Sequence, residues 1–125
     1  MKEYTASISP DPEKWLALDE ATRLELVIDY VNNYENSIED EAKRIHAAIH
    51  VIVETQLAQD TEPTKETYNR LSRQGLNRHE IIHAIGAVIA EDIYGIMKGK
   101  KENPFVGYKL RLKKLTAKRW KKGKW

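Results

Sequence analysis

The stretch Gly75–Gly99, GLNRHEIIHAIGAVIAEDIYGIMKG, decides how this chain is read. Asn77 reads as an N-cap, and Ile82, Ile85, Ile89, Ile93 and Ile96 follow at the spacing of a helix with one buried face. His79 and His83 flank that face. Gly86 and Ala90 lie on the same side as the two histidines, so a neighbouring backbone can come close there and leave room for imidazole rings.

The other two of the four histidines stand in an earlier segment, HAAIH, from His46 to His50. Ser37 with Asp40 resembles a capping box and opens a helix predicted to run to about Ala58. Its apolar residues Ile38, Ala42, Ile45, Ile49, Ile52, Val53 and Leu57 form one stripe. At about 100° per residue, the stripe centres roughly 60° to one side of His46 and His50 lies about 40° to the other. Glu54 continues the histidine row toward solvent. Both pairs are therefore i, i+4 pairs with similar offsets from an apolar face, and packing the two helices along those faces would bring them together.

Residues four apart project side by side, so each HxxxH presents two ring nitrogens that one ion can span. With no cysteine in the chain, a metal must be held by nitrogen and oxygen, and imidazole suits zinc, iron, nickel and copper. The predicted cofactor is a divalent transition metal, zinc or iron foremost, on His46, His50, His79 and His83, with Glu54 as a carboxylate ligand or outer partner. All four histidines on one zinc would make a closed structural site, whereas an open position requires one of them outside the shell. A two-metal centre would need bridging carboxylates, for which Glu54, Glu80 and Glu91 are the nearest in sequence. If the metal is catalytic, both hydrolysis by metal-bound water and redox chemistry at iron are open.

HEIIH also matches H-E-x-x-H, in which the glutamate, here Glu80, is the general base of a metallopeptidase. The longer form of that motif fails, because Gly86 is in place but Ile89 stands where a third ligand is required. Glu91 lies eight residues past His83, about 12 Å along a helix, and does not replace it. As residue N3 after Asn77, Glu80 also fits the second member of a capping box.

The remaining segments complete an all-α reading of four to five helices. Residues 1 to 10 read as a loose arm, 11 to 98 as the bundle and 99 to 125 as a basic segment. Asp11 and Pro12 start a short helix carrying Trp15, Leu16 and Leu18, and Asp19 caps a second whose pattern weakens at Asn32 and Asn33. A third helix with Tyr68 and Leu71 inward ends near Gln74, with Gly75 at its C′ position. KKENPFVG is a polar break, and Tyr108 to Trp120 reads as one final amphipathic helix.

Composition bounds the rest. The 125 residues, 41% hydrophobic and 32% charged, suit one soluble domain. There is no apolar run long enough for a membrane span and no signal-like start, so a cytoplasmic location is expected. The net charge of +2 hides an asymmetry: residues 1 to 97 carry 9 Lys and Arg against 18 Asp and Glu, and residues 98 to 125 carry 12 against 1. Lys109, Arg111, Lys113, Lys114, Lys118, Arg119, Lys121, Lys122 and Lys124, interleaved with Tyr108, Trp120 and Trp125, form a candidate sequence-independent nucleic-acid contact. A Leu face folded back on the acidic body explains the same segment. Arg70, Arg73 and Arg78 flank the start of the central helix and are a weaker anion candidate. A homo-oligomer, or a purely structural interaction protein, is compatible with the apolar helix faces.

The stretches DPEKWLALDEATR, HAAIHVIVETQLA, RLSRQGLNRHEIIHAIGAVIAE and LTAKRW resemble a small bacterial family known only as a conserved domain of unknown function. The resemblance spans most of Asp11 to Trp120 and implies that His46, His50, Glu54, His79 and His83 fall on motif positions. It supplies no activity. The family pattern has aspartate more often than glutamate at the position of Glu80, which weighs against a zincin role, and the Lys-rich end lies outside it.

Overall fold

The computed structural model describes residues 1–99 and 107–124, and among these it is all-α. Seven helices follow in order: α1 Pro12–Ala17, α2 Glu20–Tyr34, α3 Asp40–Ala58, α4 Thr64–Arg73, α5 Arg78–Met97, α6 Tyr108–Lys114 and α7 Ala117–Lys121. No described helix is long and apolar enough to cross a membrane. The polar break proposed around KKENPFVG lies mostly outside the described residues.

Local chemistry sets the helix ends. The Asp11 and Asp19 side chains accept from the amides of Lys14 and Thr22, satisfying donors that the first turns of α1 and α2 leave free. α4 ends on a left-handed Gly75 with φ +97°. There the Leu76 amide donates to the Leu71 carbonyl and the Gly75 amide to that of Ser72, a Schellman closure that turns the chain into α5. At the start of α5, Asn77 and Glu80 bond each other's backbone amides in a complete capping box.

Several boundaries depart from the sequence reading. α2 continues through Asn32 and Asn33 to Tyr34, because Tyr30 and Val31 are buried in its last turns and tertiary packing outweighs weak propensity. α3 begins at Asp40 rather than Ser37, after a tight turn in which the Ile38 amide donates to the Glu35 carbonyl; its N-cap is Glu39, which makes no side-chain cap bond. The expected single helix from Tyr108 to Trp120 is two. Leu115 is extended and Thr116 caps α7 by accepting from the Arg119 amide. That break lets Tyr108, Leu112, Leu115 and Ala117 all be buried, with the freed carbonyls of Leu112 and Leu115 accepting from Arg70 and the Ala117 amide donating to Gln74. Ile96, expected inward, is 40% exposed at the end of α5.

The arm expected to be loose is packed at two points, with Tyr4 and Ala6 buried. They join Trp15, Val27, Tyr30, Val31 and Ala47 in one apolar cluster beneath α1, α2 and α3. A second cluster, including Val53, Leu71, Ile81, Ile85, Val88, Leu112 and Leu115, fills the space between α3, α4, α5 and the C-terminal helices. α3 touches α1, α2, α4 and α5, so it lends Ala47 to one cluster and Val53 to the other. His50 and Glu54 lie on α3 among these residues, at 1% and 2% exposure. α3 and α5 run close together at Gly86, where an added Cβ would stand 3.0 Å from Ile49 Cγ2.

Candidate metal centre

The four histidines converge, and they do so on a residue absent from the sequence-based set. Glu35 is the C-cap of α2, its amide donating to the Val31 carbonyl. The turn into α3 places its buried carboxylate between the two histidine pairs. Nε2 of His46 stands 2.5 Å from Glu35 Oε2, and Nε2 of His79 and of His83 each stand 2.8 Å from Oε1. Nε2 of His50 is 3.4 Å from Oε2. Burial opposes a charge on Glu35, but hydrogen bonds from the surrounding imidazoles, that of His46 first, outweigh it and hold the carboxyl well below the usual carboxylate range.

One atom each from Glu35, His46, His50 and His83 lies within 4.8 Å of the other three. The His50 Nε2 is 3.2 Å from that of His46 and 3.2 Å from that of His83. Two nitrogens bound tetrahedrally at a zinc–nitrogen length near 2.05 Å are about 3.3 Å apart, so these spacings would let one ion span the rings. His79 is outside the group of four. It reaches Glu35 and packs its ring 4.3 Å from that of His83.

A buried chain of bonds sets the proton on His50. The Tyr4 hydroxyl donates to Glu54 Oε2 at 2.5 Å and stands 3.1 Å from His50 Nδ1. A phenol has one proton, and here it goes to Glu54; the contact with His50 is therefore Nδ1–H donating to the Tyr4 oxygen. Burial also lowers the His50 pKa, keeping the ring neutral. In that tautomer Nε2 carries a lone pair, and it faces Glu35. A neutral imidazole with its Nε2 lone pair free is the form that can ligate a cation.

Glu54 is a partner of this chain and not a member of the group of four. Arg78 Nη1 and Nη2 grip its two oxygens at 2.8 and 2.6 Å, and Nη1 also donates to the Ala6 carbonyl at 2.9 Å. The sequence reading sent Glu54 toward solvent. It is buried because α3 is covered on faces beyond its apolar stripe, by α1, α2 and the N-terminal segment as well as by α5. Glu80 bonds the Asn77 amide in the capping box, and Glu91 is exposed. Neither belongs to the His/Glu group, whose carboxylate is Glu35.

Two of the three arginines proposed as an anion site are engaged elsewhere. Arg78 holds Glu54, Arg70 bonds Glu66 and two carbonyls, and Arg73 is exposed. In the basic segment, Arg111 bonds the buried Asp92. Lys109, Lys113, Lys114, Lys118, Arg119, Lys121, Lys122 and Lys124 are exposed on and around α6 and α7.

A cleft of about 220 Å³ opens beside the group, lined by His46, His50 and His83 together with Ile49, Ile82 and Gly86. It gives an ion or a small molecule a route to three of the imidazoles. Comparison with protein-family models, with curated proteins and with solved structures finds no match.

Glu35 and Tyr4 are the two residues that sequence reasoning missed. Neither sits in a periodic pattern. The available signal for Glu35 was a carboxylate following the weakened end of a helix, eleven residues before His46, where a short reversal would bring it back over the next helix.

Proposed function

We propose that this is a metal-binding protein whose centre holds one divalent transition metal on Glu35, His46, His50 and His83, with His79 as a hydrogen-bond partner of Glu35. The observation that carries the reading is the convergence of ring nitrogens from His46, His50 and His83 on the buried Glu35 carboxylate, one atom of each within 4.8 Å of the others. A set of three imidazoles and a carboxylate suits zinc and iron(II). The Tyr4–Glu54–Arg78 chain supports it in the manner of outer partners at metal sites, which fix a histidine's tautomer and ring orientation. Because a ligating imidazole must be unprotonated at the binding nitrogen, metal affinity is expected to rise with pH.

The test is elemental analysis of protein purified without an affinity tag, followed by titration of the chelator-treated protein with zinc and iron(II). The expected result is one equivalent of bound metal per chain, lost in the double variant His46→Ala with His83→Ala. A protein that stays metal-free and does not take up either ion overturns the reading.

A second reading concerns the basic segment. Eight exposed cations on and around two short helices, beside the half-buried Trp120, favour a contact with nucleic-acid phosphates. Fluorescence anisotropy with single-stranded oligonucleotides of mixed sequence is expected to show binding that weakens steeply with salt. Replacing Lys118, Arg119, Lys121 and Lys122 by alanine is expected to reduce the slope of log K against log salt by about 3, at roughly 0.7 per lost phosphate contact. An unchanged slope removes the segment from the role.

A further inference from the structure

Rings run without a break from the metal group to the surface. Tyr4 packs edge-on against His50 with centroids 5.9 Å apart. Tyr30 stands 5.4 Å from Tyr4 and 6.1 Å from His50, and Tyr34 lies 5.4 Å beyond Tyr30 with 74% of its surface exposed. Each step is between neighbouring π-systems in ordinary edge or tilted contact.

Tyr4 is the unusual member. Its hydroxyl touches both a histidine of the metal group and a buried carboxylate. The hydroxyl is buried and its one proton is held in the bond to Glu54. Losing an electron is a different matter, because a phenol radical cation is a strong acid and its proton must go somewhere at once. Glu54, 2.5 Å away, is within direct proton-transfer reach.

We propose that Tyr4 is a redox-active residue. With iron(II) in the metal group and a peroxide as oxidant, it supplies one electron, and Tyr30 and Tyr34 carry the oxidising equivalent to the surface. The inference rests on the metal reading above and adds an activity to it. Hydrogen peroxide takes two electrons and two solvent protons, its O–O bond breaks, and two waters form. One electron comes from iron(II), which becomes iron(III). The other comes from Tyr4, whose O–H bond breaks to leave a neutral phenoxyl radical, with the proton on Glu54 beside Arg78. The equivalent moves outward when Tyr30 gives an electron to Tyr4 and Glu54 returns the proton. Tyr30 and Tyr34 line a cleft of about 230 Å³ shared with Glu3 and Asp29; Tyr30 gives its proton to water there and takes one back when Tyr34 reduces it, and the exposed Tyr34 releases the final proton to solvent. An external reductant would meet the radical there.

The experiment loads the full chain with iron(II) without oxygen, measures bound iron, adds one equivalent of hydrogen peroxide and freezes the sample for EPR. The expected result is a radical signal whose splitting collapses in protein made with ring-deuterated tyrosine, is absent from zinc-loaded protein, and disappears in Tyr4→Phe that retains iron. Because Tyr4→Phe also alters the His50 partner, spin trapping of the wild type with mass-spectrometric mapping gives an independent answer. The adduct is expected on Tyr34 and not on Tyr94, which is also exposed but lies outside the ring chain. Bound iron with no tyrosyl signal, a full signal in iron-loaded Tyr4→Phe, or trapping on Tyr94 alone overturns the redox role and leaves the metal site standing. Failure to bind iron removes the redox role, and failure to bind zinc as well removes the metal reading with it.

Discussion

Arg78→Ala is expected to destabilise the protein by about 3–5 kcal/mol, the cost of stripping one partner from a buried ion pair. Glu54 is 2% exposed and takes two bonds from the Arg78 guanidinium at 2.6 and 2.8 Å. Without Arg78 its charge keeps only the Tyr4 hydroxyl, and the Ala6 carbonyl loses its donor as well. The loss falls on three elements at once, because Ala6 is in the N-terminal segment, Glu54 on α3 and Arg78 in the first turn of α5. Urea unfolding of the metal-free protein measures it as a fall in midpoint. Arg78→Lys should recover only part of the difference, since an ammonium cannot reproduce the two-pronged grip. A change within about 0.5 kcal/mol, typical of ordinary surface substitutions, would show that the pair is not buried in solution.

Glu35→Ala is expected to reduce metal affinity by more than the roughly 10- to 100-fold that loss of an outer partner brings, since it removes the carboxylate of the proposed ligand set. Competition against a chelating dye checks this. Glu80→Gln serves as the control and is expected to keep metal, because Glu80 acts in the capping box. The same substitution changes the acid limb of stability without metal. Glu35 has its carboxyl pKa lowered on folding, so the stability it brings is present above the unfolded value, about 4.3 for glutamate, and is lost as pH falls below it. Glu35→Ala should therefore be less stable than wild type near neutrality, with the gap narrowing on acidification. A gap independent of pH would mean that the imidazoles do not hold Glu35 as an anion.

How the centre was read from sequence follows from the reach of local rules. His46 with His50, and His79 with His83, are visible because an i, i+4 pair on a helix is a local fact, and the apolar stripe beside each pair shows which side turns inward. The capping box of Asn77 and Glu80 is local in the same way, and it already explained Glu80 without catalysis. Arg78 read as part of a weak anion-site candidate, because no pattern along the chain reveals a partner 24 residues earlier. Tyr4 lay in a segment without periodicity, and its burial comes from a pocket walled by Trp15, Tyr30 and His50, three residues from separate helices.

By itself, the sequence determined the all-α class, most helix ends, the two histidine pairs and the basic character of the C-terminal segment. These depend on spacing, capping chemistry and charge within a few residues. The tertiary structure decided which carboxylate enters the centre, which histidine stays outside the group of four, which tautomer His50 adopts, and where the C-terminal helix breaks. Each of those is a contact between elements distant in the chain, set by how α2, α3 and α5 pack and by the requirement that buried polar groups find partners. A short turn at the end of α2 thus places Glu35 among histidines 11 to 48 residues away.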